Sequence, residues 1–268
     1  MSRFSYELDA LNDPTLGLIV LQTDETLEQD IRQLIAPGLC RLHVTRIRSG
    51  DDLTPDIISE MEIALPAAAE LLPPAAQFDA VAYACTSATA QIGADRVHDI
   101  LKRATGATDA TDPLTATIEA LRALNAQRIG VVTPYTEMIA APLLKALQVA
   151  GFDVARSLSF GEIAEAHVVR ISASSVREAV ASLRPEDGLD AIFLSCTNLR
   201  TLELIPTLEA LFGVPVISSN LALTWHLMRL AGLPDLTMRS RLIDGTKGGI
   251  PLPGLAQSAF PKDFLPGA

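Results

Sequence analysis

The chain contains the same half-unit twice, and this internal repeat constrains the fold more than any other feature. Residues 81–87 read VAYACTS and residues 192–198 read IFLSCTN, so each copy is an apolar run that ends in Cys-Thr. Each copy also follows an earlier apolar run at nearly the same spacing, with Gly17 in the first run and Gly130 in the second. A chain that repeats a unit this closely is expected to fold into two similar lobes.

Apolar runs of strand length alternate with helix-period segments along the chain, which predicts an α/β fold with parallel sheets flanked by helices. We expect two pseudo-symmetric lobes. Lobe 1 is predicted to comprise residues 14–118 plus 218–268 and to carry Cys85. Lobe 2 is predicted to comprise residues 119–217 and to carry Cys196. Ligands of such sheets bind beyond the carboxyl ends of the strands, so the active site is expected in the cleft between the lobes.

Three local features interrupt this alternation. Residues 54–72 are apolar at helical intervals, but Pro66 is expected to break the helix. Residues 87–104 have a mixed pattern that predicts a helix only at their start. The segment after Pro234 is rich in glycine and proline and is expected to wrap around the surface.

Composition and motifs argue against several classes of protein. The net charge of −11 disfavours nucleic-acid binding, which needs a basic face. The N-terminus lacks the apolar core of a signal peptide, and no apolar run approaches the roughly 18 residues of a membrane helix, so a cytoplasmic protein is expected. The 3 cysteines are widely spaced, without a Cys-x-x-Cys pair or a histidine cluster, which disfavours a disulfide framework or a zinc site. No glycine-rich nucleotide motif is present, so we expect no cofactor.

The two repeated cysteines are the candidate catalytic residues. A thiol at the start of a helix lies near free N–H groups, and its pKa is therefore expected to fall. Thiols on opposite sides of a small molecule can remove a proton from one face and return it to the other, which is racemisation or isomerisation without a cofactor. A single buried cysteine is usually a small core residue. We keep that interpretation for Cys40, whereas the matched contexts favour catalysis for Cys85 and Cys196.

Polar residues next to the thiols are candidates to hold a substrate carboxylate or an enediolate. Asp24 follows the first strand and either caps the next helix or contacts the substrate, and the sequence leaves both roles open. The candidates that would donate hydrogen bonds to the carboxylate are Thr86, Ser87, Tyr135, Thr197 and Asn198.

The Cys-Thr-Ser motif at Cys85 and the Ser-Cys-Thr-Asn motif at Cys196 resemble those of the aspartate/glutamate racemase superfamily. Within it, the chain is most similar to the branch that contains maleate cis-trans isomerase, arylmalonate decarboxylase and the ectoine-utilisation A proteins. Residues 17–30, the Thr-Pro-Tyr turn at 133–135 and residues 215–220 fit that branch. The resemblance covers roughly residues 14–232. It implies two α/β lobes, no cofactor, and a substrate carboxylate held by backbone amides and hydroxyls.

The chain departs from the relatives in this branch at three positions. Arylmalonate decarboxylases have a glycine where this chain has Cys85, which disfavours decarboxylation. Maleate isomerases have an asparagine where this chain has Asp24, and a carboxylate there would repel a second substrate carboxylate. The resemblance therefore implies an amine or amide at that end of the substrate, in agreement with the ectoine-utilisation relatives, which act in the breakdown of a diaminobutyrate-derived solute. A second carboxylate-binding asparagine of the family would fall near residues 165–167, where this chain has none.

Three hypotheses follow. The leading one is a cofactor-independent racemase or isomerase of a small carboxylate or amino-acid derivative, in which Cys85 and Cys196 form the acid/base pair. The second is maleate-type cis-trans isomerisation, in which one thiolate adds to the double bond. The third is a non-catalytic protein that binds small carboxylates. For each of them the predicted partner is a small molecule rather than nucleic acid or a membrane, and the chain is expected to form a homo-oligomer, most simply a dimer.

Overall fold

The computed structural model describes residues 4–52 and 54–246, which form two parallel four-stranded sheets. The first sheet has the spatial order β2-β1-β3-β4 and the second has the equivalent order β6-β5-β7-β8. The predicted fold class is therefore confirmed. The strands of the first sheet are β1 (Thr15–Leu21), β2 (Arg41–Ile47), β3 (Ala80–Ala84) and β4 (Asp109–Thr111). Those of the second are β5 (Arg128–Tyr135), β6 (Asp153–Glu162), β7 (Ala191–Leu194) and β8 (Val216–Ser218).

Helices connect the strands. The helices before β5 are α1 (Leu27–Leu34), α2 (Pro55–Ala69), α3 (Thr86–Ile92), α4 (Ala94–Thr105) and α5 (Pro113–Ala123). The later helices are α6 (Glu137–Val149), α7 (Glu165–Val168), α8 (Ala173–Ser182), α9 (Ile205–Phe212), α10 (Ser219–Leu230) and α11 (Arg241–Thr246). No helix in the described part of the chain is both long and apolar enough to span a bilayer.

The chain returns to the first sheet after β8. Helix α10 packs against α5 and α1, which places it beside the strands of the first half. The exact lobe boundaries, the cytoplasmic location and the dimer stay predictions, and residues 247–268 of the predicted lobe 1 and tail lie outside the described residues.

The repeated glycines have a shared packing role. Gly17 in β1 pairs with Val81 of β3, and Gly130 in β5 pairs with Ile192 of β7. A Cβ atom at Gly17 would lie 2.9 Å from side-chain atoms of two neighbours, and one at Gly130 would lie 2.8 Å from Leu189. Each glycine therefore makes room for side chains that pack over the central strand of its sheet.

Local predictions fail where backbone or packing overrides the sequence pattern. Pro66 lies inside α2 and does not break it, because α2 is held by packing against α4, α3 and β2. Residues 87–104 form two helices that are separated at Gly93, whose φ of +96° suits glycine. The three-residue strand Asp109–Thr111 was not predicted, because it is too short to show a period.

Candidate active site

Both repeated cysteines follow the third strand of a half-unit, β3 or β7, at the carboxyl end of that strand. Cys85 is the residue before α3, and its Sγ accepts a hydrogen bond from the Ala88 N–H at 3.4 Å. The Ser87 hydroxyl lies 3.6 Å from the same sulfur. Cys196 follows β7 with a φ of +97°, and its N–H donates to Ser219 Oγ at 3.0 Å. The two thiols therefore occupy equivalent positions in the two sheets.

The two thiols share one buried environment. The Tyr135 hydroxyl hydrogen-bonds to Cys196. Burial raises the pKa of this tyrosine well above its usual value, and the charges of Cys196 and Cys85 raise it as well. Cys85, Cys196 and Tyr135 are only 3%, 5% and 3% exposed. Neither cysteine is in a disulfide. The structure thus brings together three residues that lie far apart in the sequence.

Asn198 connects the two lobes next to this space. Its Oδ1 accepts a hydrogen bond from the Glu25 N–H at 2.9 Å, and its backbone oxygen accepts one from the Thr26 hydroxyl at 3.0 Å. Its Nδ2 donates to the Glu165 backbone oxygen at 3.1 Å and to Glu165 Oε2 at 3.3 Å. The predicted contact of Asn198 with substrate stays a prediction, and the structure shows this amide bound to protein groups on both sides.

Asp24 caps the first helix of lobe 1 and also faces the thiols. Its Oδ1 accepts hydrogen bonds from the N–H groups of Thr26 at 2.9 Å and Leu27 at 2.8 Å. Its Oδ2 is buried and accepts no hydrogen bond from the described residues, although the nearby Thr197 hydroxyl helps to stabilise the charge. Burial raises the pKa of Asp24 above its usual value. One oxygen is thus structural, whereas the other has the Thr197 hydroxyl near it but accepts no hydrogen bond of normal geometry from the described residues.

Glu165 is the site residue that the sequence analysis missed as a candidate. It begins the short helix α7, is 4% exposed, and has a pKa raised by burial and, to a lesser extent, by the Asp24 charge. The signal for it was indirect, since the family resemblance placed an asparagine near this position and the sequence has a glutamate. Two buried carboxyl groups therefore lie close to the thiols, one from each lobe.

The prediction that the thiol pKa values are lowered is wrong for the unliganded protein. Burial is the largest cause that raises the pKa of Cys85, to about 12; the Ala88 N–H and the Ser87 hydroxyl oppose this increase, and the Glu165 and Asp24 charges contribute to it. Burial and the same two carboxylates also raise the pKa of Cys196 well above its usual value, against the Tyr135 hydroxyl. Desolvation and like charge therefore outweigh the hydrogen bonds that favour a thiolate.

The other predicted residues surround the thiols but bind protein groups. The Thr86 and Ser219 hydroxyls share a hydrogen bond of 2.9 Å, and the Thr197 hydroxyl donates to the Ala84 backbone oxygen at 3.3 Å. Thr86, Ser87 and Thr197 are all buried. Their roles toward substrate stay predictions. In this structure the Thr86 hydroxyl joins α3 to α10, and the Thr197 hydroxyl joins the second lobe to β3.

An open groove of about 450 Å³ lies next to this site. It runs between α1 and the loop before α9, with Thr26, Asp30, Arg200 and Glu203 among its lining residues. Neither cysteine lines it, so the groove is a neighbour of the candidate active site rather than its reaction space. No cluster of three or more histidine, cysteine, aspartate or glutamate residues in residues 4–52 and 54–246 has the geometry to hold a metal ion.

Comparison with known proteins identifies the family. A sequence model described as arylmalonate decarboxylase matches residues 61–243. The chain belongs to this family. The maleate isomerase of Nocardia farcinica is 30% identical over 232 residues, which cover 82% of this chain and 90% of that protein. The arylmalonate decarboxylase of Bordetella bronchiseptica is 33% identical over 133 residues, which cover 49% of this chain and 55% of that protein.

Solved structures of the same family share the fold. A cysteine-to-serine variant of the Nocardia farcinica maleate cis-trans isomerase, with a covalently bound succinylcysteine intermediate, matches with a TM-score of 0.79 at 26% identity, over 87% of this chain and 98% of that chain. The maleate isomerase Iso of Pseudomonas putida S16 matches with a TM-score of 0.79 at 26% identity, over 87% and 99%. An arylmalonate decarboxylase matches with a TM-score of 0.68 at 26% identity, over 86% and 99%.

These matches confirm the resemblance to the branch with maleate isomerase and arylmalonate decarboxylase, and they confirm the prediction of an enzyme of the isomerase class. They favour the hypothesis of maleate-type cis-trans isomerisation over that of racemisation, because the relatives named above include maleate cis-trans isomerases.

Proposed function

We propose that the protein is a cofactor-independent cis-trans isomerase of a small unsaturated carboxylate, and that it works through a covalent adduct on Cys85. The observation that carries this proposal is the pair of thiols at equivalent strand ends, sharing one buried space with Tyr135. Relatives that are maleate isomerases, one of them trapped as a succinylcysteine adduct, support the reaction class.

The immediate surroundings of the two sulfurs suggest different roles. Cys85 Sγ accepts the Ala88 N–H and has the Ser87 hydroxyl beside it, so two donors stabilise negative charge on this sulfur. The Cys196 thiol contacts the Tyr135 hydroxyl, which is a neutral partner suited to a group that gives and takes a proton. We therefore assign Cys85 as the nucleophile and Cys196 as the acid and base.

The reaction follows from these roles. The Cys85 thiolate adds to the double bond, a C–S bond forms, and the π electrons move into the carboxylate to give an enediolate. Cys196 gives its proton to the α-carbon, which leaves a carbon–carbon single bond that can rotate. The Cys196 thiolate then removes the α-proton, the C–S bond breaks with its electron pair returning to Cys85, and the trans product forms.

Racemisation is the second candidate, because thiols from opposite lobes can act on opposite faces of an α-carbon. In that reaction each cysteine is the base for one enantiomer, and no covalent bond to sulfur forms. The substrate class that the ectoine-utilisation resemblance implies, a diaminobutyrate derivative, belongs to this candidate.

Trapping the adduct tests the main proposal. The Cys196→Ser variant lacks the base that starts elimination, so an adduct that takes its α-proton from solvent should accumulate. Incubation with a cis-unsaturated acid should therefore raise the intact mass by the whole mass of the acid, with the label on the Cys85 peptide. The Cys85→Ser variant should take up no mass. Cys40→Ser is the matched control, since Cys40 is half-buried and outside the site, and it should leave cis-trans conversion measured by proton NMR unchanged.

Two results would contradict the covalent route. Full cis-trans conversion by Cys85→Ala would remove the nucleophile from the mechanism, since losing a positioned catalytic group typically costs about 10²–10⁴-fold in rate. Exchange of α-hydrogen for deuterium in D2O together with inversion of an amino acid, without any adduct, would instead support racemisation.

A further inference from the structure

Two carboxyl groups from opposite lobes lie beside the reactive thiols, and neither is paired with the side chain of a lysine or arginine among the described residues. Asp24 and Glu165 are 3% and 4% exposed. Asn198, two residues after Cys196, hydrogen-bonds to the Thr23 oxygen and the Glu25 N–H on either side of Asp24 and also donates to the Glu165 carboxylate, so one amide holds both acidic residues beside the thiols. In agreement with this placement, the charge of each carboxyl group raises the pKa of both thiols.

The positions of the two groups are fixed by different contacts. Asp24 Oδ1 is held by the Thr26 and Leu27 N–H groups, and this leaves the buried Oδ2 without a hydrogen bond from the described residues. Glu165 Oε2 accepts from Asn198 Nδ2 at 3.3 Å. Its N–H donates to the Asp51 backbone oxygen at 3.0 Å, which connects it to the loop after β2. A buried carboxylate oxygen with no donor is costly unless a ligand supplies one.

The protein provides little positive charge here. Neither Asp24 nor Glu165 forms an ion pair with a lysine or arginine within residues 4–52 and 54–246. The Arg46 charge lowers the pKa of Asp24 slightly, but its Nη1 donates to the Asp24 backbone oxygen at 3.0 Å and its Nη2 pairs with Glu28. The neighbouring Asp30 carboxyl group adds negative rather than positive charge.

We propose that Asp24 and Glu165 form a subsite for a cationic nitrogen of the substrate, so that the preferred substrate is a small unsaturated acid with an ammonium group in place of a second carboxylate. This inference rests on the proposed function and specifies its substrate class. An ammonium group offers three N–H donors, enough for the free Asp24 oxygen and the Glu165 carboxylate together. A dicarboxylate would instead place like charges against them.

The same subsite would couple substrate binding to thiol activation. Asp24 and Glu165 disfavour the thiolate form of Cys85 and Cys196 in the unliganded protein. A bound ammonium group neutralises this charge, and the pKa of the thiols falls toward the value that their hydrogen-bond donors favour. The nucleophile is therefore activated when the correct substrate is in place.

A pair of four-carbon acids tests the proposal. (Z)-4-aminobut-2-enoate and maleate have the same four-carbon chain and the same cis double bond, and they differ at one end, where an ammoniomethyl group replaces a carboxylate. Calorimetric titration into Cys85→Ser, which cannot form the adduct, should give at least about tenfold tighter binding of the amino acid, because opposite charge attracts where like charge repels. The Asp24→Asn and Glu165→Gln changes in this background should each reduce that preference, and together they should reverse it.

Controls separate charge from folding. Asparagine caps a helix about as well as aspartate, so Asp24→Asn should fold normally. Glu209→Gln changes another buried glutamate, which accepts from the Val216 N–H away from the thiols, and it should leave the preference unchanged. Melting temperatures establish whether each variant is folded. If the double variant does not fold, the comparison of the two single variants with the parent protein decides the test.

The outcomes distinguish this inference from the proposed function. Tighter binding of maleate than of the amino acid, no binding of the amino acid, or a preference unchanged by both substitutions would each overturn the subsite. Conversion of maleate with an adduct on Cys85 would at the same time leave the proposed function standing. Tight binding of the amino acid without adduct or cis-trans conversion by the native protein would support the subsite and overturn the proposed function.

Discussion

At the scale of single residues, the Tyr135 hydroxyl is the group that most directly stabilises a Cys196 thiolate. It lowers the pKa of that thiol against burial and the Glu165 charge. Tyr135→Phe removes the hydrogen bond, and a neutral hydrogen bond contributes about 0.5–1.5 kcal/mol, so the thiolate fraction should fall by about 2–10-fold. Alkylation of the Cys196 peptide by iodoacetamide, followed by mass spectrometry, should slow by that factor. Alkylation of Cys40 is the internal control, and a Cys196 rate that is unchanged or faster would contradict the prediction.

The backbone of Cys196 supports a second prediction. Its φ of +97° is unfavourable for any residue with a Cβ atom, whereas Cys85 has an ordinary φ of −143°. Cys196→Gly and Cys196→Ala both remove the sulfur, but only glycine relieves the backbone. We expect the glycine variant to unfold at higher urea concentration, with an advantage of about 1 kcal/mol in the free energy of unfolding. A more stable alanine variant would show that this conformation carries no strain.

The site was only partly predictable at this scale. Cys85, Cys196 and Tyr135 could be found because each lies at the carboxyl end of a clear strand, and parallel strands bring these ends to one edge. Glu165 could not, because its helix α7 has only four residues and shows no period, and because its position depends on hydrogen bonds from Asn198 and to the Asp51 backbone oxygen. The direction of the thiol pKa shifts was also missed, since burial and the two carboxylates are tertiary effects.

At the scale of secondary-structure elements, the two central strands depend on their glycines. Gly17→Ala would bring a Cβ atom to 2.9 Å from Leu72 Cδ1 and Val81 Cγ2, and Gly130→Ala would bring one to 2.8 Å from Leu189 Cδ1. Each contact forces packed side chains to move. Each substitution should therefore lower the free energy of unfolding by about 1–3 kcal/mol, as overpacked cores do.

Denaturant unfolding measures this effect, and the chain provides a matched control. Gly245 lies in α11, and among the described residues a Cβ atom there would meet Leu124 alone, at 3.8 Å, an ordinary contact. Gly245→Ala should keep or slightly increase stability, because alanine favours a helix. Equal losses at all three glycines would point to a general effect of alanine rather than to packing over the central strands.

The elements that were predicted well are those whose apolar residues form a continuous run or a regular helical pattern. The strands before both cysteines and helix α10 follow the pattern closely, because their burial is complete or nearly so. The errors occur where a local rule competes with packing. Pro66 is tolerated inside α2 by its neighbours, and the break at Gly93 depends on a positive φ that the apolar pattern does not encode.

At the scale of the whole molecule, buried ionisable groups make stability depend on pH. Burial, with the charges of Asp24 and Glu203, raises the pKa of Asp30 to about 6, against the Asn220 hydrogen bond. The folded state therefore holds this proton more tightly than the unfolded state, whose aspartate has its ordinary pKa of 3.8. Stability from Asp30 is present at acidic pH and is lost as pH rises through about 6, with a magnitude on the order of 3 kcal/mol.

Comparison with Asp30→Asn isolates this contribution, because asparagine does not titrate. The native protein should gain stability relative to the variant between about pH 7.5 and about pH 4.5 in urea unfolding. His226 acts in the opposite direction, since burial lowers its pKa to about 4, and the comparison cancels its effect. A difference between the two proteins that is constant across this range would show that Asp30 titrates normally in the folded state.

The closed arrangement around Asn198 also affects kinetics. Both sulfurs are nearly inaccessible, and one amide bridges Glu25 of the first lobe to Glu165 of the second, so we expect a ligand to reach the thiols by separating those contacts. Reclosure then removes bulk water from the reacting carbon, so that a carbanion-like intermediate meets only the protons the protein supplies. The opening frequency of this bridge is therefore an upper bound on the number of catalytic cycles per second, however fast the bond-making steps become.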